Sequence, residues 1–175
     1  MRLIGKRSAA SALRWLLGLL NVFVMLAAIA LVGTLIASAI APEFAAGVID
    51  GMAGRENIPD HSLKLFGALT LVGALLACGF TWWVINRMRR ILLSVNQGDA
   101  FEPANVGRLQ AVGYGLLAIQ LTALLLAVVA PQGIGQSPSD YDFSLGSWLG
   151  ILVVFILAEV FRQGSAMRHE QLTTV

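Results

Sequence analysis

The sequence predicts an all-α integral membrane protein, a single four-helix bundle over residues 1–175 with both termini on the cytoplasmic side. Three observations predict it: apolar residues in excess over charged ones, four long apolar runs, and basic residues that alternate between the segments joining those runs. The chain is 57% hydrophobic and 13% charged, with a mean hydropathy of +0.77. Soluble domains carry about a quarter charged residues, so the deficit points to a lipid solvent. The runs are rich in Leu and Ala and lack alternation of period two, which favours helices over barrel strands.

A hydrocarbon core about 30 Å thick takes roughly 20 apolar residues in helical form. The first run, about 13–40, carries only Arg14 as a charge, at its edge. Arg2, Lys6 and Arg7 precede it and Ala37-Ser38-Ala39 resembles a cleavage site, which raises a secretory signal. Its apolar stretch exceeds the 7–15-residue core of such signals, so the run is expected to remain as a span. The second run covers about 63–85, the third about 109–130, and the fourth about 143–161, the shortest, with Glu159 near its end.

Orientation follows from where Lys and Arg fall. The N-terminal segment holds four (Arg2, Lys6, Arg7, Arg14), the first connection two (Arg55, Lys64), the second four (Arg87, Arg89, Arg90, Arg108), the third none, and the tail two (Arg162, Arg168). Cytoplasmic segments carry the basic excess, which places both termini and the second connection inside. The inner segments then hold ten basic and four acidic residues, a formal balance of +6; the outer hold two and six, a balance of −4. Inner basic residues beside helix ends meet anionic headgroups. The lipid bilayer is thus the first partner, and no direct binding of nucleic acid is expected.

The second connection, 86–108, carries further structure. Met88, Ile91, Leu92 and Val95 repeat at i, i+3, i+4 and i+7, a single apolar stripe. The stripe either lies in the headgroup layer or on the tail, or docks a cytoplasmic partner. Asn96-Gln97-Gly98 is a helix stop, since glycine adopts the left-handed conformation that ends helices. Pro103 suits the first turn of the next helix, and Phe101 with Val106 offers a hydrophobic staple across that start.

Chemistry-bearing residues are few. Cys78 lies in an apolar run, where cysteine behaves as a small hydrophobe. His61 and His169 fall in different hydrophilic segments, no Cys/His cluster has zinc spacing, and Gly133-Ile134-Gly135 reads as a short turn. No catalytic residue, metal site or cofactor is expected. Within the spans, Asn21 and Gln120 are polar clues, read first as interhelical hydrogen bonds and second as substrate or ion contacts. Glu159 has Arg162 three residues on, which favours a local ion pair. Gly146 and Gly150 have the spacing that permits close helix contact.

Two stretches resemble a known family. Residues Gly98 to Leu109 are similar to the motif G-x-x-F-x-x-x-N-x-x-R-L, on Gly98, Phe101, Asn105, Arg108 and Leu109. Leu157 to Gly164 is similar to E-x-F-x-x-G, on Glu159, Phe161 and Gly164 with Arg162 between, followed by Glu170-Gln171 and a terminal Thr174-Val175. Both resemble the bacterial membrane family known as domain of unknown function 2975. Leu172 and Thr173 stand where that pattern has an acidic residue and leucine. The resemblance implies a small four-span inner-membrane protein without known catalysis. Such proteins are often encoded beside a small helix-turn-helix regulator, which suggests a membrane partner or antagonist of that regulator. The motif residues are then either partner-facing or a structural turn. From another class, a small transporter or transporter subunit remains, which would need a connected polar path. Homo-oligomer formation is left open.

Overall fold

The computed structural model describes residues 9–41, 43, 47, 60–99, 101–129 and 144–173, and these are helical almost throughout. Four α-helices follow in chain order: α1 (Ala9–Ile40), α2 (Asp60–Asn96), α3 (Pro103–Val129) and α4 (Leu145–Thr173). No strand occurs among the described residues. All four contain segments long and apolar enough to cross a membrane. At 1.5 Å per residue, the 37 residues of α2 extend about 55 Å, well beyond a 30 Å hydrocarbon layer. The helix therefore continues through the basic segment Arg87–Arg90, as the apolar stripe after Asn86 requires.

The expected spans lie inside the observed helices, with differences at the ends. The third run begins as a helix at Pro103, six residues before its apolar stretch, because proline's fixed φ fits a first turn. The fourth continues to Thr173, past the apolar run that ends about 161, since Arg, Gln, Ala, Met, Glu and Leu beyond it are good helix formers. Gly133–Gly135 lies outside the described residues, as do the side chains of His61 and His169.

The chain divides into two compact units. The first holds α1 up to Phe23, α2 from Thr81, the following turn, α3 up to Leu117, and α4. Its buried apolar residues are Leu17, Val84, Ile85, Val112, Ile151 and Ala158. α3 fits between two neighbours there because Gly113 and Gly115 stand two residues, about 200°, apart around the helix. A Cβ at Gly113 would lie 2.9 Å from Cζ of Phe155 on α4, and one at Gly115 would meet Val84 and Trp83 on α2. Tyr114, between them, sets its ring edge-on to Phe155 at 5.1 Å. The second unit holds α1 from Val24, α2 up to Phe80 and α3 from Ala118. Leu71 and Ala127 are buried there, and Gly73 gives room to Leu126.

α1 is the least covered helix: 6% of its most apolar window is buried. Trp15, Phe23, Met25, Leu26 and Ile29 are all exposed. Among the described residues of α1 only a narrow face, at Leu17 and Asn21, is buried.

Candidate functional site

The two motif stretches converge in the first unit. α2 ends at Asn96 in a Schellman turn: the Asp99 N–H donates to the Ser94 carbonyl at 3.0 Å and the Gly98 N–H to the Val95 carbonyl at 3.0 Å. Gly98 has φ +89°, a conformation in which any other residue is strained. This is the helix stop expected at Asn96-Gln97-Gly98.

Ser94, three positions before the cap, joins the two helices flanking the turn. Its hydroxyl donates to the Ile91 carbonyl at 2.9 Å and accepts from Nδ2 of Asn105 on α3 at 2.6 Å. Asn105 is fully buried. Its Oδ1 accepts from Nη1 of Arg108 at 2.9 Å, and the same nitrogen donates to Glu102 Oε2 at 3.0 Å. The Asn105 N–H donates to the Glu102 carbonyl at 2.8 Å, closing the first turn of α3. A buried amide must be hydrogen-bonded, and Asn105 has both ends of its side chain satisfied within the protein.

Phe101, expected to staple the start of α3, lies on α4. Its ring stands 5.3 Å from that of Phe161, and a Cβ at Gly164 would approach Phe101 Cε1 to 2.8 Å. Phe101 and Gly164 are thus knob and socket. The structure brings Gly98, Phe101, Asn105 and Arg108 together with Phe161 and Gly164, and each serves a cap, a hydrogen bond or a ring contact inside the protein. Along the stripe on α2, Ile91, Leu92 and Val95 are half-buried and Met88 is exposed.

Glu159 and Arg162 stand on the outside of α4. Arg162 Nε donates to Glu159 Oε2 at 2.8 Å and Nη2 to Oε1 at 2.6 Å, and Gln163 Nε2 donates to Oε1 at 3.0 Å. The forked pair neutralises both charges locally, which is the ion pair the spacing suggested. Gly146 and Gly150 are exposed, and no atom of the protein lies near a Cβ built at Gly150. Close approach of a neighbour occurs instead at Gly73, Gly113, Gly115 and Gly164, where a Cβ would come within 3 Å of another side chain.

Polar groups along the apolar segments are engaged locally. The hydroxyls of Thr34, Ser38 and Thr122 donate to carbonyls of Ala30, Leu35 and Ala118 on their own helices. Asn21, buried on α1, places Nδ2 3.5 Å from Asn86 Oδ1 on α2, a long and weak bond. The Asn21 Oδ1 is buried without a hydrogen-bond partner. Gln120 is half-buried on α3, in the second unit. Cys78 is also half-buried. Among the described residues no group of three His, Cys, Asp or Glu side chains is placed to hold a metal ion.

A second feature was not singled out from the sequence. Beside Asn86, Arg89 and Arg90 of α2 meet Arg14 of α1 around two adjoining hollows of about 410 and 330 Å³. The nearby Arg87 is occupied otherwise, over the Trp83 ring at 5.5 Å. The convergence was hidden because Arg14 and Arg89 belong to segments far apart in the chain.

Comparison with known families finds one described as Protein of unknown function (DUF2975), matching residues 53–175. Those residues contain α2, the capped turn, α3 and α4, and leave out α1. No curated protein and no solved structure matches the chain.

Proposed function

The chain belongs to the family of proteins of unknown function DUF2975, and we propose that it is a non-enzymatic, multi-pass protein of the bacterial cytoplasmic membrane that engages a small cytoplasmic helix-turn-helix regulator. Both termini and the turn between α2 and α3 face the cytoplasm in this reading, as the basic residues require. One observation carries it: the motif residues build a hydrogen-bonded turn, packed on α4 through Phe101 beside Phe161 and Gly164, at the end of a helix longer than a bilayer needs. A stiff projection held by internal bonds suits recognition of a partner, which favours preorganised surfaces. The surface on offer includes the exposed Met88 on α2 and Met167 on α4, and methionine adapts to a partner's shape.

The alternative is a small transporter or transporter subunit, which is judged by its polar path. Asn21, Asn86 and Gln120 supply the polar side-chain amides, while Thr34, Ser38 and Thr122 turn back onto their own helices. This pattern supports the interaction reading over transport.

The test is recovery of partners from native membranes in mild detergent, identified by mass spectrometry. A small DNA-binding protein should co-purify and be lost from a Met88→Asp, Met167→Asp variant that still inserts. Recovery of the chain alone, or with transporter components, would overturn the regulator reading. Orientation is checked separately with a periplasm-dependent reporter fused after Gly135 or after Gln97. Activity is expected after Gly135 only.

A further inference from the structure

We propose that the hollow shared by Arg14, Arg89 and Arg90 seats the phosphate of an anionic phospholipid, with its acyl chain lying along α1. The inference rests on the membrane reading above and on no partner protein.

Charge supplies the first argument. Three guanidinium groups from two helices line the adjoining hollows, with Arg14 and Arg89 common to both. No carboxylate is among the lining residues. Glu102 pairs with Arg108 and Glu159 with Arg162, so these acids are engaged elsewhere. Like charges gathered with no carboxylate among the lining residues repel one another, and an anion between them removes that cost. The guanidinium fork matches phosphate oxygens two at a time. Asn86, in the second hollow, adds an amide at hydrogen-bonding reach of the same space.

Shape supplies the second. On α1 the larger hollow is lined in order by Ser11, Arg14, Trp15, Gly18, Leu19 and Val22. This stretch spans about 16 Å along the helix axis. It is polar at its start and apolar afterwards, the polarity profile of a headgroup followed by a chain. Trp15 stands at the change, where amphipathic rings favour the membrane interface. Gly18 lines the hollow beside the Arg89 guanidinium, and a Cβ there would lie 3.8 Å from Arg89 Nη2, in ordinary contact, so that only a larger side chain would fill the space. A free phosphate would use the arginines and leave Leu19 and Val22 without a role.

Native mass spectrometry of the purified full chain, delipidated in detergent and titrated with phosphatidylglycerol or phosphatidylcholine, tests the site. The expected result is preferential retention of phosphatidylglycerol, unaffected by millimolar inorganic phosphate. Arg14→Gln with Arg89→Gln should weaken that retention about tenfold or more. Gly18→Leu, which fills the hollow and leaves the charge intact, should weaken it comparably. Arg162→Gln, which removes one positive charge from a guanidinium already paired with Glu159, should leave it unchanged. Equal retention of the two lipids, or wild-type retention by both the double variant and Gly18→Leu, would overturn the proposal. Displacement by inorganic phosphate would overturn the lipid and assign the site to a free phosphate. Reporter fusions that keep the expected orientation while these titrations fail would reject the seat and leave the membrane reading standing.

Discussion

Replacing Asn105 by alanine removes the residue that joins the two helices across the turn. The side chain makes one hydrogen bond to a neutral hydroxyl, Ser94 at 2.6 Å, and one from a charged donor, Arg108 at 2.9 Å. The first contributes about 1 kcal/mol net and the second about 1.5–3 kcal/mol. Ser94 keeps its bond to the Ile91 carbonyl and Arg108 keeps Glu102, so neither is stranded. The small void left in a fully buried position adds to the loss. The total comes to about 2–4 kcal/mol, or a fall in Tm of about 5–15 °C at 2–4 °C per kcal/mol for a chain of this size. Thermal unfolding in mild detergent, followed by tryptophan fluorescence, measures it. Ser94→Ala should lower Tm by less. In the double variant the two losses should fall short of their sum by about 1 kcal/mol, because one bond is counted in both. A Tm for Asn105→Ala within about 1 °C of wild type, or strictly additive losses, would refute the assignment of Asn105 as the tie between α2 and α3.

Gly164→Leu should destabilise the protein, since even its Cβ would press on the Phe101 ring, and Phe101→Ala in the same chain should recover part of the loss in the same assay. Asn21→Leu should hold or raise Tm, because it removes a buried oxygen that has no partner; a clear drop would point to an unseen role for that amide. Glu159→Ala and Arg162→Ala should each lower membrane-inserted yield more than the double change does, because a single change leaves one charge uncompensated on the exposed face of a long apolar helix. Gly73→Val should lower Tm and be relieved by Leu126→Ala, a direct check on close packing in the second unit.

Much of the backbone was legible from local chemistry. Apolar run length marked the four helices, Gly98 marked the end of α2, and Pro103 marked the start of α3. The side-by-side arrangement was not legible. A helix that is apolar all round gives no contrast between its packed and exposed faces, so periodicity cannot say that Val84 is buried and Leu76 exposed. Glycine does not resolve it either: Gly73, Gly113 and Gly115 admit neighbours, while Gly33, Gly79 and Gly107 face open space. The motif residues were found by pattern, but their meeting across Phe101, Phe161 and Gly164 joins segments that no local rule connects. Asn105 illustrates the limit, since an asparagine near a turn reads as a local backbone cap, whereas here its amide reaches back to the preceding helix.

The Phe101–Gly164 socket also bears on how such chains can change over generations. With a ring filling the space where a Cβ would stand, neither position can vary alone without loss. A bulkier residue on α4 becomes tolerable only after the turn has surrendered its phenyl group, so the route between two variants passes through the smaller pair. Chimeras that exchange α4 between relatives should therefore work when the turn travels with it and fail when it stays behind, making two distant stretches of chain one heritable module.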